Sequence, residues 1–174
     1  GTKDLLPETL AAYEVGWRGR FLGGRLEAGA DLFYQRTSGL IRFTREVDPL
    51  HTATEYYGKV GSAGAELSAR ARLLDRLTAA GSYSFQNVKG DLHGLSPKNK
   101  THVSLLADLG RGFHLDVAHH WVAAADYDGE VVPGGGTHVD QYHLVLTRLA
   151  YRFPKWDAEV GFNAFNVFHQ RHRE

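Results

Sequence analysis

The feature that most constrains this chain is a period of two in its side chains. In segment 13–21, Val15 and Trp17 fall on one phase, whereas Glu14 and Arg18 fall on the other. Successive side chains of a β-strand point to opposite faces, so the pattern predicts strands with one apolar and one polar face. It recurs in eight segments, at about 13–21, 26–36, 59–72, 77–88, 101–109, 113–123, 139–153 and 157–168. The sequence therefore predicts an all-β domain over residues 1–174, built of about eight meandering antiparallel strands.

The connections between these segments alternate between short and long. Four of them are tight turns, at Leu22–Arg25, Leu73–Arg76, Gly110–Gly112 and Pro154–Trp156. Three are long and rich in Gly, Pro, Asp and His, at Thr37–Gly58, Asn87–Lys100 and Ala123–His138. This alternation is typical of outer-membrane barrels, which have short periplasmic turns and long extracellular loops. Within 139–153, Tyr142–Leu146 is apolar on both phases, which leaves the register of that strand open.

The polar phase carries full charges, and these restrict where the sheet can lie. They include Arg18, Arg20, Asp31, Glu66, Arg70 and Arg72. A dry protein interior could not hold so many ions, because burying each one costs several kcal/mol. The longest stretch without Asp, Glu, Lys or Arg is Leu77–Val88, with 12 residues, too short for the roughly 20 of a membrane-spanning helix. These observations favour a transmembrane β-barrel segment in which the six charged residues face a water-filled lumen.

Composition excludes several classes of protein. Lys plus Arg equals Asp plus Glu, at 20 each, so the chain lacks the basic surface that nucleic-acid binding requires. The absence of Cys rules out disulfides and thiolate metal sites. There is no nucleophile elbow, zinc-protease motif or phosphate-binding loop. The sequence thus predicts neither a catalytic site nor a cofactor, and the chain is not expected to be an enzyme.

Three groups of residues are candidate metal ligands, and the sequence favours none of them. His119 and His120 are adjacent in a predicted strand, so their rings point to opposite faces and a rim or lumen role is preferred. His169 and His172 lie in a predicted loop. The acidic run Asp126–Glu130 lacks the full calcium-loop pattern and is interpreted as a solvated loop.

Several motifs, in order along the chain, resemble those of TonB-dependent outer-membrane receptors. These motifs are Asp4–Glu8, Tyr13–Gly16, Asp31–Ile41, Gly64–Leu67, Leu77–Phe85, Ser96–Lys100, and Asn166–Phe168 followed by His172–Glu174. Thr2-Lys3 replaces the family's Asn-Pro pair, and His169 stands where Asp is usual. Because the spacing matches over nearly the whole chain, the sequence resembles the C-terminal β-barrel portion of such a receptor.

The resemblance implies part of a barrel of roughly 22 strands in the bacterial outer membrane, without the family's N-terminal plug and its last, aromatic-ended strand. It implies TonB-coupled uptake of a siderophore-type iron chelate or a similar scarce nutrient. The implied partners are outer-membrane lipid, the siderophore or other small nutrient ligand, and the TonB complex through the missing N-terminal region. Ligand-binding residues are expected in the predicted extracellular loops: Arg42, Arg45, His51, Tyr56, Tyr57, His93, Tyr127 and His138.

Two alternatives remain open from the sequence. Eight strands can close into a complete small outer-membrane barrel with an adhesive or structural role, in which the first and last strands would pair. A soluble ligand-binding β-barrel would instead pack its apolar face into a closed, dry interior and turn its charges outward.

Overall fold

The computed structural model describes residues 7–48, 51–90, 96–127 and 137–167, with side chains at 7–40, 58–90, 96–126 and 138–167. Ten strands occur in these ranges. They are β1 (Thr9–Phe21), β2 (Leu26–Asp48), β3 (His51–Leu74), β4 (Leu77–Gly90), β5 (Asn99–Gly110), β6 (Phe113–Val122), β7 (Ala125–Tyr127), β8 (Thr137–Val139), β9 (Tyr142–Phe153) and β10 (Ala158–Ala164). Among these residues, no helix combines the length and the apolar character that crossing a bilayer demands.

Eight of the strands form one antiparallel sheet in the order β1-β2-β3-β4-β5-β6-β9-β10. Each strand therefore pairs with the next long strand along the chain, which confirms the predicted eight-stranded meander. The two short strands, β7 and β8, form a separate antiparallel ribbon inserted between β6 and β9. The loop predicted at Ala123–His138 therefore contains two paired strands.

The tight turns all lie at one end of the sheet. A single 3-10 turn at Leu22–Gly24 joins β1 to β2, and two residues, Arg111 and Gly112, join β5 to β6. Both of these residues have positive φ, at 54° and 88°. Two-residue hairpins require this left-handed geometry so that the turn follows the twist of the strands, and Gly adopts it without steric cost.

At the other end of the sheet, the prediction of a loop at Thr37–Gly58 is wrong. β2 and β3 continue through it as a long antiparallel hairpin, with Leu40 opposite Tyr57 and Asp48 opposite His51. Two irregularities in register interrupt this extension, between Arg42 and Arg45 and between Glu46 and Asp48. Backbone pairing therefore continues past the point where the apolar residues of β2 leave the phase of Leu32 and Tyr34. Farther along β2, Ile41, Phe43 and Val47 fall on the other phase.

The remaining predicted bounds need smaller corrections. β1 starts at Thr9 rather than at residue 13, and β4 extends to Gly90. β9 begins at Tyr142 rather than at residue 139, and β10 ends at Ala164, whereas the prediction ran to residue 168, which lies outside the described residues. The register that the sequence left open is now fixed, since His143 lies opposite Trp121 and Leu144 lies opposite His120.

The two faces of the sheet differ as the period of two predicts. On one face, large apolar side chains stand unburied: Val15 is 65% exposed, Trp17 53% and Leu105 45%. Only Ala125 and Ala150 are buried apolar residues in the part of the chain that the structure describes. A sheet with this much uncovered apolar surface and no interior of its own is suited to lipid. The packed, dry interior of a soluble barrel is therefore contradicted.

Aromatic rings mark the end of the apolar face that carries the tight turns. Tyr151 contacts Phe113 and Phe153, with ring centroids 4.7 and 4.6 Å apart, and Phe153 stacks on Trp156 at 5.5 Å. Aromatic side chains collect at bilayer interfaces because one part of the ring is apolar and another is polar. This row therefore marks one boundary of the membrane-spanning part of the sheet.

The sheet is open. β1 and β10 lie at opposite edges and, among the described residues, do not pair with each other. This excludes the complete eight-stranded barrel, whose closure requires that pairing.

Candidate functional site

The charged residues predicted to face the lumen all lie on the polar face of the sheet. Register establishes this directly, because Asp31 lies opposite Glu66, and Arg20 and Arg70 both lie opposite Glu27. Arg18 and Arg72 follow at the same phase of β1 and β3. The structure thus brings the six together on the face opposite Val15 and Leu105.

Ion pairs satisfy several of these charges. Arg18 contacts Asp31, with Nη2 and Oδ2 2.7 Å apart, and Arg20 contacts Glu27 with Nε and Oε1 3.0 Å apart. Glu66 accepts a hydrogen bond from the Ser84 hydroxyl at 3.4 Å. Arg70 has no ion pair with any described residue, so its guanidinium remains available to an anion.

A second charge network on the same face was not singled out from the sequence. Arg148 on β9 pairs with Glu159 on β10 and lies 3.6 Å from Asp116 on β6. It therefore links three consecutive strands across the sheet. In the sequence, each of these three residues is a polar residue on the polar phase of its strand. Only the register of the strands shows that the three side chains meet.

Small side chains create a concavity between the charged residues of the first four strands. Its volume is about 670 Å³, and it is lined on the polar face by Arg18, Arg20, Glu27, Ser68, Arg70, Ser82 and His102. Gly19, Ala28 and Gly81 contribute backbone to its floor. Arg18 is paired with Asp31 and Arg20 with Glu27, so the positive character of this hollow comes from Arg70, which has no ion pair with any described residue.

Four histidines form two pairs on opposite faces of β5, β6 and β9. His102 and His120 are directly opposite each other on the polar face, with Nδ1 of His102 3.2 Å from Nε2 and 3.3 Å from Nδ1 of His120. On the apolar face, His119 Nε2 lies 3.0 Å from His143 Nδ1. The prediction that neighbouring rings of the His119-His120 dipeptide diverge is confirmed, although His119 joins the apolar face rather than a rim or lumen position.

Most of the proposed ligand-binding residues lie on strands rather than in loops. Arg42 and Arg45 belong to β2, whereas His51, Tyr56 and Tyr57 belong to β3. Their side chains, together with that of Tyr127 on β7, are outside the described side chains, and His93 is outside the described residues altogether. Asp128 and Glu130 of the acidic run, and His169 and His172, are also outside them. All the candidates that the structure does place lie at the end away from the tight turns.

His138 is the one candidate whose side-chain contacts are described. Its Nδ1 lies 2.5 Å from Asp126 Oδ1 across the β7–β8 ribbon, and its Nε2 lies 3.2 Å from Asp140 Oδ1. The hydrogen bond to Asp126 is the main cause of a raised His138 pKa, and the charges of Asp126 and Asp140 add to it. Both ring nitrogens can donate to carboxylates only when the imidazole is protonated.

Within the described ranges, no three His, Cys, Asp or Glu side chains converge in a way that would hold a metal ion by themselves. The arrangement instead offers a charged wall, a positive hollow and, at one end, hairpins that extend beyond the sheet.

Comparison with solved structures places this wall in a known architecture. The ferric-catecholate import receptor Fiu of E. coli K12 matches with a TM-score of 0.70 and 17% identity, over 96% of this chain and 24% of that receptor. The ferripyoverdine receptor of the outer membrane of Pseudomonas aeruginosa matches with a TM-score of 0.71 and 17% identity, over 97% and 24%. The copper transporter OprC matches with a TM-score of 0.75 and 16% identity, over 98% and 27%.

The chain spans about a quarter of the length of these proteins, so the likeness concerns one part of a barrel wall. A search of curated proteins found no match. The family described as "TonB dependent receptor-like, beta-barrel" matches residues 1–167, which is nearly the whole chain. The chain therefore belongs to the TonB-dependent receptor family and forms part of an outer-membrane β-barrel of that family.

Proposed function

We propose that this chain is one wall of a receptor that imports a siderophore-type iron chelate, or a similar scarce nutrient, by TonB-coupled transport. The observation that carries the proposal is the sheet's division into an exposed apolar face and an ion-paired polar face, in a chain of this family. In this role the apolar face meets outer-membrane lipid. The polar face lines the lumen through which the nutrient passes.

The positive hollow favours an anionic cargo. Arg18, Arg20 and Arg70 border it, and Arg70 has no carboxylate partner among the described residues. A positive charge without an ion-pair partner in a narrow, low-dielectric passage raises the local concentration of anions. Guanidinium groups also bind planar oxyanions through paired hydrogen bonds, which suits carboxylate- or catecholate-bearing chelates.

Initial capture is assigned to the end of the sheet that carries the long hairpins. Barrels of this kind turn their tight connections to the periplasm and their long ones to the cell exterior. The β2–β3 extension and the β7–β8 ribbon would then meet the ligand first. We assign capture to their residues and to one in the 91–95 segment: Arg42, Arg45, His51, Tyr56, Tyr57, His93, Tyr127 and His138. Arg supplies charge, and Tyr supplies a ring for stacking.

The similar structures support the class of cargo. Their names describe a receptor for ferric catecholate, a receptor for ferripyoverdine and a transporter of copper. All three concern a metal ion, and two of them concern an iron chelate. An iron chelate is therefore the first cargo to test for the present protein, and copper is the second.

The decisive experiment is uptake by cells that carry or lack the gene. Radioactive iron would be supplied on a panel of catecholate, hydroxamate and carboxylate chelators, and radioactive copper would be supplied separately. We expect deletion to abolish uptake of one member of the panel. Dissipating the proton-motive force should stop uptake but leave surface binding intact, because coupling through TonB requires that energy. If deletion leaves every member unchanged, the proposed cargo is wrong.

The capture residues have a matched test in the same cells. Replacing Arg42, Arg45, Tyr56 and Tyr57 together by Ser should weaken binding of the imported chelate. The control replaces Lys155 and Trp156, in a tight turn at the opposite end, by Ser. Equal binding by the two variants would contradict the assignment of capture to the long hairpins.

A further inference from the structure

His102 and His120 stand as a cross-strand pair on the polar wall, near the end with the long hairpins. They occupy directly opposed positions on β5 and β6, only two residues from the end of β6 at Val122. Their ring centroids are 4.3 Å apart, and both residues are partly buried. His102 also borders the positive hollow. The pair is therefore accessible from the lumen side of the wall.

The spacing of the ring nitrogens matches chelation of a metal ion. Zn²⁺ binds imidazole nitrogen at about 2.0–2.1 Å, so two nitrogens at a tetrahedral angle are separated by about 3.3 Å. The structure has Nδ1 of His102 at 3.2 and 3.3 Å from the two nitrogens of His120. A rotation about χ2 would aim both lone pairs at one point, and it costs little because this torsion has a broad minimum.

We propose that His102 and His120 form a two-imidazole site for a divalent transition-metal ion on the lumen wall. Imidazole suits Cu²⁺, Zn²⁺ and Ni²⁺, and by the usual order of affinities Cu²⁺ is bound most tightly of the three. This site is independent of which nutrient the receptor imports.

The surroundings of the pair leave part of the coordination sphere open. On the same face, the nearest positions along and across the strands hold Ser82, Ser104 and Leu144, and Lys100 lies two residues along β5. None of these is a strong ligand for such a metal. Two coordination positions therefore remain for water or for donor atoms of a small chelator, so the site can take a metal ion that still carries other ligands.

The second histidine pair supplies an internal control. His119 and His143 have a nitrogen separation of 3.0 Å but lie on the apolar face, beside Trp121 and Val145. A hydrated cation cannot approach that face when lipid covers it. The two pairs thus share their chemistry and their strands but differ in the solvent that reaches them.

The test uses the full-length receptor in a lipid nanodisc, without a histidine tag, titrated with CuCl₂ by calorimetry. Each of His102→Gln and His120→Gln should weaken Cu²⁺ binding about tenfold or more, the equivalent of about 1.4 kcal/mol. His119→Gln and His143→Gln should leave the affinity unchanged. Wild-type affinity retained by the His102→Gln/His120→Gln double variant would overturn the proposal, as would a loss confined to the apolar-face variants.

Electron paramagnetic resonance of Cu²⁺ bound to the wild-type receptor gives a second readout. Two equivalent imidazole nitrogens should split the signal, and the splitting should vanish in the double variant. Absence of any nitrogen coupling from the wild type would show that the two rings only share a hydrogen bond.

Discussion

Replacing Leu105 by arginine is expected to destabilise the receptor strongly, whereas the same replacement at the adjacent Ser104 is not. The two residues are consecutive on β5, and register places Leu105 on the apolar face opposite Ala79 and Val117. Ser104 points to the polar face, opposite Ala80 and Ala118. The two variants therefore place arginine at nearly the same height along the strand, but one faces lipid and the other faces water.

The size of the effect follows from the depth of Leu105. β5 has 12 residues, Asn99–Gly110. At about 3.3 Å per residue, such a strand is about 40 Å long, and a tilt of about 45° reduces its height to about 28 Å, close to the thickness of the hydrocarbon core. Leu105 lies at the middle of this length. Arginine on the lipid face costs about 2–4 kcal/mol at the midplane and about 0–1 kcal/mol near the interfaces.

Leu109 tests how the cost of an arginine depends on its depth in the bilayer. It lies on the same strand, four residues closer to the tight turn, and its side chain is also exposed. Leu109→Arg should therefore cost less than Leu105→Arg, and Ser104→Arg should cost about 1 kcal/mol or less because a lumen-facing arginine stays in water. Leu105→Arg is therefore expected to destabilise the receptor more than either Leu109→Arg or Ser104→Arg.

The assay is equilibrium unfolding of the full-length receptor refolded into phosphocholine vesicles, followed by tryptophan fluorescence in increasing guanidinium chloride. A loss of 2–4 kcal/mol corresponds to a change of about 30- to 1000-fold in the folding equilibrium. A greater loss for Ser104→Arg than for Leu105→Arg would refute the assignment of the two faces. Equal losses would refute the argument from depth and solvent.

Two further predictions concern local structure. Because its folded-state pKa is raised, protonated His138 should stabilise the β7–β8 ribbon fully below the unfolded pKa of about 6.5. The effect should be lost as pH rises through the folded value, so amides of 137–139 should exchange faster at high pH after correction for the intrinsic rate. Asp126→Asn should weaken that dependence, because it leaves only the contact with Asp140. Gly64→Val should destabilise by about 1–3 kcal/mol in the same unfolding assay, since a Cβ there would meet the Phe33 ring. Gly61→Val, whose nearest neighbouring atom lies 3.9 Å away, should have a smaller effect, and the reverse order would contradict this reading.

The eight strands of the sheet could be predicted because the bilayer imposes the pattern that the sequence shows. Where a strand crosses lipid, every second side chain must be apolar, and Val15, Leu105 and Phe162 follow that rule. The tight turns could also be predicted from the sequence, since they interrupt the alternation with Gly and polar residues. Both signals are local, and each can be identified within about a dozen residues.

The length of β2 and β3 could not be predicted for the same reason. Beyond about residue 36, the apolar residues of β2 leave the phase of Leu32 and Tyr34, and Ile41, Phe43 and Val47 fall on the other phase. The backbone ladder continues nevertheless, with Ile41 opposite Tyr56 and Arg42 opposite Glu55. Pairing requires only backbone hydrogen bonds and residues that favour extended backbone, and neither depends on a constant phase of the apolar residues.

The histidine pairs show what register adds to periodicity. A hairpin symmetric about the two-residue turn Arg111–Gly112 would have placed His102 opposite Trp121. The bulge between Asp108 and Gly110 shifts the register by one residue and brings His120 opposite His102 instead, and such a shift also exchanges the faces on which side chains lie. His119 and His143 lie on strands separated by the β7–β8 insertion, so no count of residues across a turn could have paired them.

The open edges of the sheet explain how its stability depends on its surroundings. β1 has 13 residues and β10 has seven, and the outward groups of each edge strand have no partner strand among the described residues. In hydrocarbon, each unsatisfied backbone group costs several kcal/mol, so this sheet can occupy a bilayer only when both edges are paired within a closed wall. Closure would also enclose the polar face. The same requirement that satisfies the backbone in lipid therefore produces the water-filled passage that Arg18, Arg20 and Arg70 would line, and it encloses the histidine pair of β5 and β6 in that passage.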